Sequence, residues 1–522
     1  MAAIITDDFR RNSTTFLLND IIDQNTGAGE SVTNGGTFEY FIGIGKTDPW
    51  PNDNNNNPES SQNFSVPLPT GSEIEAKEVI DNLAGAVAIE ANNAYHVIPR
   101  VNWSINRRYK RWNENDPTMF DVSTVGGVTY FPCYVVAGAA GSEKIYVCLD
   151  NDSNNSYGND QTYVPSLSQI QPTGGSSTPT SSPTVGDRNI EIFSDGYIWA
   201  YVADINNSSN FNTDQFVSVS YTADGLATDA TTASGGIVYG FEIISGGLNI
   251  SSSDFKLLLN KKDGTARQVD LTVDNSGPNG SAKGVVMTGG MTLSDILDTK
   301  TCVRASVVPG PSTTATTLPV IRPLVAPELG FGYSPAADLP SFYAGLTVNY
   351  NGDVEGELST NINYRQISLL RNPTRNDDDD PAPTGDGDYA EAEVYNTLRR
   401  IELTSSVDLS SVTQGTIIED VSTPSGSALT VTGAKAFIDY VDNVNNHIYF
   451  HQNESPNINQ QAFTAGGADA KISIAGGSAL AYSAISTPEY TPYTGEVYFL
   501  ENRKPIQRAT SQEEEIKLVI QF

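Results

Sequence analysis

The chain has 522 residues, with 62 acidic and 30 basic side chains, giving a formal net charge of −32. A surface this acidic repels phosphate backbones and anionic lipid, which argues against nucleic acid or a membrane as a partner. No run of about 18 apolar residues is present, and no basic region precedes an apolar core at the start, so neither a membrane span nor a signal peptide is expected.

At about 150 residues per domain the length suggests three or four domains. Glycine (45), tyrosine (24) and many Asn, Ser and Thr suit strands joined by turns. Cys133, Cys148 and Cys302 make an odd count without C-x-x-C, so no disulfide framework or zinc site is implied. Cys133 and Cys148 flank a possible hairpin. Two reduced core thiols are the plainer reading, with pairing left open, and a chain of this kind is expected to fold in a cytoplasm.

Arg10 to Asp23 predicts a helix, with Phe16, Leu17 and Ile21 on an apolar stripe and Asn19 and Asp20 on the polar side. Thr37 to Ile44 predicts a strand. Asp48-Pro49 and Pro51 then force a turn from which Trp50 projects. Glu73 to Ala84 is a second helix, and Val97 to Tyr109 (VIPRVNWSINRRY) an extended segment. Arg100, Arg107, Arg108, Lys110 and Arg111 form the one basic cluster. It reads either as charges offsetting local carboxylates or as a contact for an acidic partner surface, a second copy of the chain included.

Met119 to Leu149 predicts strands at MFDVS, VTYFPCYVV and KIYVCLD. Asp195-Gly196 is a turn that places Tyr197, Trp199 and Tyr201 on one strand face, a row that reads as core rather than ligand platform. Short β-runs between glycine pairs fill 222–323. Asp377 to Asp380 begins an exposed acidic linker. Val394 to Ile485 then holds six short strands (RRIELTS, GTIIED, ALTVTG, AFIDYVD, HIYFHQ, AKISIAG), which fit a small sandwich or barrel. Val497 to Leu500 predicts a strand buried on both faces, and Asn502 to Pro505 a turn. Ile516, Leu518, Ile520 and Phe522 then alternate with Lys517, Val519 and Gln521, the pattern of a strand with one apolar face.

The residues that could carry chemistry form no catalytic or metal-binding pattern. His447 and His451 lie four apart in a strand, not on a helix, with no acidic residue between them. The glycines of IGIGK (Ile42 to Lys46) precede no helix, so no phosphate cradle forms. Asp150, Asp152 and Asn154 match the first calcium-loop positions, but the sixth position is not Gly and the twelfth is Gln161. With 62 carboxylates a glycosidase pair could be drawn anywhere, and no spacing selects one. Catalytic, cofactor-binding and metal residues are therefore expected to be none.

Five blocks carry a family resemblance. They are Gly45-Lys46-Thr47-Asp48-Pro49-Trp50; Val97-Ile98-Pro99-Arg100 with Trp103 and Arg108-Tyr109; Asp195-Gly196-Tyr197 with Trp199 and Tyr201; Tyr364-Arg365-Gln366-Ile367 with Asn372-Pro373; and Gly495, Glu501-Asn502-Arg503, Pro505-Ile506, Gln512-Glu513-Glu514-Glu515-Ile516 and Phe522. In this order they resemble the baseplate wedge protein encoded by gene eight of T-even-type contractile-tailed bacteriophages. The glutamates of the last block are slightly shifted, and the resemblance covers about half the chain.

The resemblance implies a structural virion subunit and no enzyme. It implies a homodimer that joins other wedge proteins and takes part in baseplate assembly and in rearrangement on contraction. The fold it implies is mainly β, a two-layer β-sandwich core with a few flanking helices. The core would comprise residues 1–95, 346–376 and 494–522. Residues 96–345 would form an inserted β-rich domain elaborated at about 222–323, and 377–493 an acidic linker with a small inserted β-domain. The alternative functions are a β-rich host-surface or glycan-binding module, motivated by that second insert, and an enzyme acting on envelope polysaccharide.

Overall fold

The computed structural model describes residues 5–24, 40–50, 65–113, 116–151, 170–171, 190–192, 197–205, 211–219, 238–249, 254–261, 266–274, 284–287, 302–309, 315–325, 331–332, 334–351, 362–373, 394–395, 397–422, 433–452, 461–486, 488, 494–508 and 513–522. The fold is mainly β with few helices.

Helix α1 (Asp7–Gln24) buries Thr14, Leu17, Leu18 and Ile21, a spacing of three and four. Phe16 does not join this face and is 74% exposed. It lies two residues from both Thr14 and Leu18, about 200° around the helix from each. Strand β1 (Tyr40–Gly45) is buried along its whole length. Helix α2 (Glu73–Asp81) starts at Ser72, whose Oγ accepts from the Glu75 amide at 3.2 Å, while the Glu75 carboxylate accepts from the Thr70 and Gly71 amides. The helix stops at Asp81, short of the expected Ala84. Leu83–Ala88 becomes β2 instead, because pairing along β1 outweighs the helix preference of its alanines.

Strands β3 (Ala94–Pro99), β4 (Arg108–Tyr109), β5 (Ser123–Val125), β6 (Val128–Phe131), β7 (Tyr134–Ala137) and β8 (Lys144–Asn151) follow. The strand expected at Met119 is a turn, and VTYFPCYVV divides at Pro132, which lacks a ladder donor. Next come β9 (Ile170–Gln171), β10 (Ile190–Ile192), β11 (Tyr197–Asp204), β12 (Phe216–Val219), β13 (Val238–Ser245), β14 (Asp254–Lys261), β15 (Ala266–Asp274), β16 (Gly284–Met287), β17 (Cys302–Pro309) and β18 (Val320–Val325). The short helix α3 (Pro335–Asp338) precedes β19 (Tyr343–Asn351), β20 (Asn363–Arg371) and β21 (Val394–Tyr395). Then come β22 (Arg399–Leu403), β23 (Ile417–Asp420), β24 (Lys435–Asp442), β25 (His447–His451), β26 (Lys471–Ile474), β27 (Ala479–Ser486), β28 (Glu496–Gln507) and β29 (Glu513–Gln521).

Two expectations at the C-terminal end are corrected. Asn502 to Pro505 is no turn, since β28 runs through it as a bulge between the pairs Gln366–Asn502 and Tyr364–Ile506. Pro505 sits in that bulge, where no ladder hydrogen bond is asked of its nitrogen. Nor is Val497 to Leu500 buried on both faces. β28 is the edge of its sheet, and Tyr498 is 47% exposed. In β29, Ile516 and Leu518 are buried, Ile520 is half-buried and Phe522 is 36% exposed, so the apolar face is used only over its first part.

The chain divides into two units. One contains Met1–Phe16, Tyr95–Gly345 and Gln521–Phe522. Its main sheet has the order β7-β8-β11-β10-β9, and β12 pairs antiparallel with β3. Residues 238–325 supply the sheet β16-β15-β14-β17 and the strand pair β13-β18. The acidic linker from Asp377, the calcium-like positions Asp152 and Asn154, and the turn Asp195-Gly196 lie outside the described residues.

The other unit contains Leu17–Ala94 and Leu346–Ile520. Its antiparallel sheet has the order β21-β2-β1-β20-β28. Ile80 of α2 packs on Phe41, Leu83, Ala86 and Leu370 of this sheet. The Tyr350 hydroxyl of β19 donates to the Ile42 carbonyl at 2.5 Å, and β29 lies beside β19. Six strands close into a barrel in the order β22-β25-β24-β23-β26-β27. Strand β27 is not among the six predicted, and the predicted ALTVTG, apart from Gly433, lies outside the described residues.

Side chains fill the barrel, with Ile401, Ile418, Ile438, Ile448, Phe450, Ile472 and Tyr482 pointing inward. Because Arg400 pairs with Ser486, the two ends of the barrel segment lie side by side. Replacing Arg399–Ser486 by a short Gly-Ser loop should therefore leave a soluble chain that melts cooperatively by circular dichroism, at a lowered temperature. Asp48→Asn in the same chain should restore part of the loss, for the reason that follows.

Candidate functional site

His447, Tyr449 and His451 lie on the outer face of β25, since Ile448 and Phe450 point into the barrel. His451 is buried. Its Nε2 is 3.0 Å from Asp48 Oδ2, and its Nδ1 is 2.7 and 2.9 Å from the two Asp439 oxygens. Asp439 can reach the ring because it is the extra residue of a bulge in β24, between the pairs Ile438–Phe450 and Tyr440–Tyr449. Asp48 arrives on the segment after β1. Arg365, fully buried on β20, holds that segment by donating from Nη1 to the Thr47 carbonyl at 2.7 Å.

Burial alone would strip the His451 proton, but the Asp439 and Asp48 carboxylates outweigh it and raise the imidazole to about 10. Burial raises the Asp439 carboxyl, and His451 does not fully offset it. Burial also works on Asp48, but His451, Lys46 and Arg365 hold it below the ordinary value. His451 is thus an imidazolium donating from both nitrogens.

Thr47 Oγ1 lies 3.3 Å from His451 Nδ1, so a Thr–His–Asp set is present by composition. It has the wrong geometry for nucleophilic catalysis. Thr47 and Asp439 share one ring nitrogen, whereas a base takes its proton on one nitrogen and is oriented through the other. An imidazolium also has no lone pair to accept a proton. All three side chains are buried. Among the described residues no group of three His, Cys, Asp or Glu side chains is placed to hold a metal ion.

The motif residues come together in two places. In the sheet unit, Arg365 meets Thr47, the Trp50 indole donates to the Arg503 carbonyl at 2.9 Å, and Gln366 Nε2 donates to Asn502 Oδ1 at 2.9 Å. Trp50 therefore ties down its turn. In the other unit, the Tyr109 amide donates to the Tyr197 hydroxyl at 3.1 Å, and the Tyr109 ring meets Trp199 edge-on at 5.5 Å. Tyr197, Trp199 and Tyr201 are buried, so the aromatic row is core.

Three of the five residues of the basic cluster have local partners. Arg100 pairs with Glu143, Arg107 lies over the Phe131 ring, and Lys110 donates to the Thr118 carbonyl at 2.6 Å. Cys133 and Cys148 are buried and form no disulfide with each other, and burial pushes the Cys133 thiol up.

Sequence reasoning missed the His451 cluster. One signal was present: Asp439 stands inside the apolar run AFIDYVD, where an unpaired carboxylate would be costly.

The described residues thus define a mainly β protein with buried, internally paired charges. Among them no helix is long and apolar enough to cross a membrane. No family model matches the chain, and no curated protein matches it.

Proposed function

We propose that the chain is a structural subunit of a contractile phage tail baseplate, a wedge component that joins neighbouring wedge proteins and moves with them on contraction. The observation that carries this reading is that the five resembling blocks meet in two groups, three blocks in one unit and two in the other. Asp48-Pro49-Trp50, the Arg365 strand and the Asn502-Arg503 strand meet in one sheet unit, and Tyr109 meets Tyr197 and Trp199 in the other. Trp50 and Arg503 touch although they are 453 residues apart, and this contact between two of the blocks supports the reading. The reading places the protein in the virion tail baseplate after folding in the host cytoplasm. Its work there is shape and buried interface, with rearrangement transmitted through rigid β-layers and no bond chemistry.

Mass spectrometry of purified tail baseplates tests it. The chain should be present in stoichiometric amount, and its absence from the particle would overturn the reading. A closed symmetric pair is the association expected of such a subunit. Light scattering on the purified chain should give about twice 55.9 kDa, and a monomer at micromolar concentration would remove the homodimer from the proposal.

A further inference from the structure

We propose that the Asp48–His451 bond is a latch between the barrel and the five-stranded sheet, one that opens without either body unfolding. The barrel has its own core around Ile401, Ile438, Ile448 and Phe450, and the sheet has its own around Phe41, Ile80 and Leu370. The contacts that cross between them are modest. Tyr449 packs with Ala84, Ile362 and Leu398, and Gln414 exchanges two hydrogen bonds with the Asn363 backbone, at 3.0 and 3.1 Å. Asp48 then meets His451 at 3.0 Å, with Thr47 beside it. Within the barrel His451 keeps a second partner, Asp439, which belongs to the same body. Opening the joint therefore leaves an ion pair behind and not a bare buried charge, which keeps the opened state within reach.

The groups facing the ring are Asp48 from the sheet side, Asp439 from β24 and the Thr47 hydroxyl, with Lys46 and Arg365 acting on Asp48. If His451 loses its proton, Asp48 and Asp439 face one another across a neutral ring in a buried site, and the joint is driven apart. His451 rises from an ordinary 6.5 to about 10 in the folded chain. Relative to the unfolded chain its contribution is therefore complete below 6.5 and lost as pH climbs through about 10, and the part of it that comes from Asp48 is the part that acts on the joint. Asp48 is lowered from an ordinary 3.8, so its contribution is present above that value and lost as pH falls below it. The joint is tightest between these limits.

Hydrogen–deuterium exchange on the full chain tests the latch, because the Asn363 amide donates to Gln414 across the joint. Between pH 7 and pH 10.5, protection of Asn363 relative to its intrinsic rate should fall by roughly tenfold or more, while the Ile448 and Phe450 amides inside the barrel keep theirs. Asp48→Asn removes the negative charge from the joint, leaving at most a neutral amide acceptor for His451, and leaves His451–Asp439 intact. It should open Asn363 at pH 7 with the barrel amides unchanged. His451→Gln should do the same and abolish the pH response. If it does not fold, Asp48→Asn decides the matter alone. Unchanged Asn363 protection in wild type at pH 10.5 and in Asp48→Asn would overturn the proposal. So would loss of Asn363 and barrel protection together. The inference does not depend on the baseplate reading and stands or falls separately from it.

Discussion

Truncation after Glu515 is expected to abolish the cooperative melt of the unit built from Leu17–Ala94 and Leu346–Ile520. The deletion removes Ile516 and Leu518, both buried, together with the backbone ladder of β29 beside β19. Truncating one such side chain in a core costs about 2–5 kcal/mol, and a whole domain typically holds only about 5–15. Two core residues and a strand exceed what such a unit can lose. Leu518→Asp should come close to the same result. Ile520→Asp should cost less, because Ile520 is only half-buried, and Gln521→Asp should be neutral on the exposed end. Lys517 pairs with Glu515 at a part-exposed site, so Lys517→Asp should cost no more than about 1 kcal/mol. Circular dichroism melts of this series check the order. A truncated chain that melts at the intact temperature would show that β29 does not close the unit.

The second large effect is expected at Glu514. Its carboxylate accepts from Arg508 Nε at 2.6 Å, with the Tyr364 hydroxyl at 3.5 Å on the other oxygen. Arg508 is almost fully buried, lies over the Tyr350 ring at 5.7 Å, and donates its own amide to the Ile362 carbonyl. Burial pushes the Glu514 carboxyl up, and Arg508 and Tyr364 do not fully offset it. Glu514→Ala leaves the guanidinium buried without its carboxylate and should cost about 3–5 kcal/mol. Glu514→Gln keeps an acceptor and should cost about half of that or less. Arg508→Met in the Glu514→Ala chain should recover part of the loss, since it removes the unpaired buried charge, while the volume lost at Glu514→Ala stays unfilled. Urea unfolding of the three variants measures the series. Equal stability of the Ala and Gln variants would remove the ion pair from the account.

Much of the fold was legible in local patterns. The strand at TFEYFIGI, the helix after Ser72, the buried row Tyr197, Trp199 and Tyr201, and the small closed β-body near the C-terminal end all follow from period and turn chemistry. The errors came where distant pairing decides local form. Leu83 to Ala88 reads as the end of a helix until β1 claims it as a neighbour. Asn502 to Pro505 reads as a turn until β20 absorbs it as a bulge. The His451 cluster could not be read in this way at all, because Asp48 and His451 are 403 residues apart. Period and spacing are local quantities, and the cluster is a long-range one.

The split composition of the sheet unit has a kinetic consequence. β1 pairs with β20, and Ser368 Oγ meets the Gly43 carbonyl 325 residues away. In equilibrium terms such a closure is cheap, because each doubling of loop length adds only about 0.6 kcal/mol. In time it is not. Ribosomes add roughly 5–20 residues per second, so β1 leaves the ribosome some tens of seconds before β20 exists. During that interval YFIGIG, a strand buried along its whole length in the folded chain, has no ladder partner at β20 and stays exposed to misassociation. Tyr95–Gly345, synthesised as one continuous stretch, carries no such delay. Synthesis therefore favours folding the middle of the chain first and its flanks last, and slowed translation or a shortage of chaperones should deplete the sheet unit before the other.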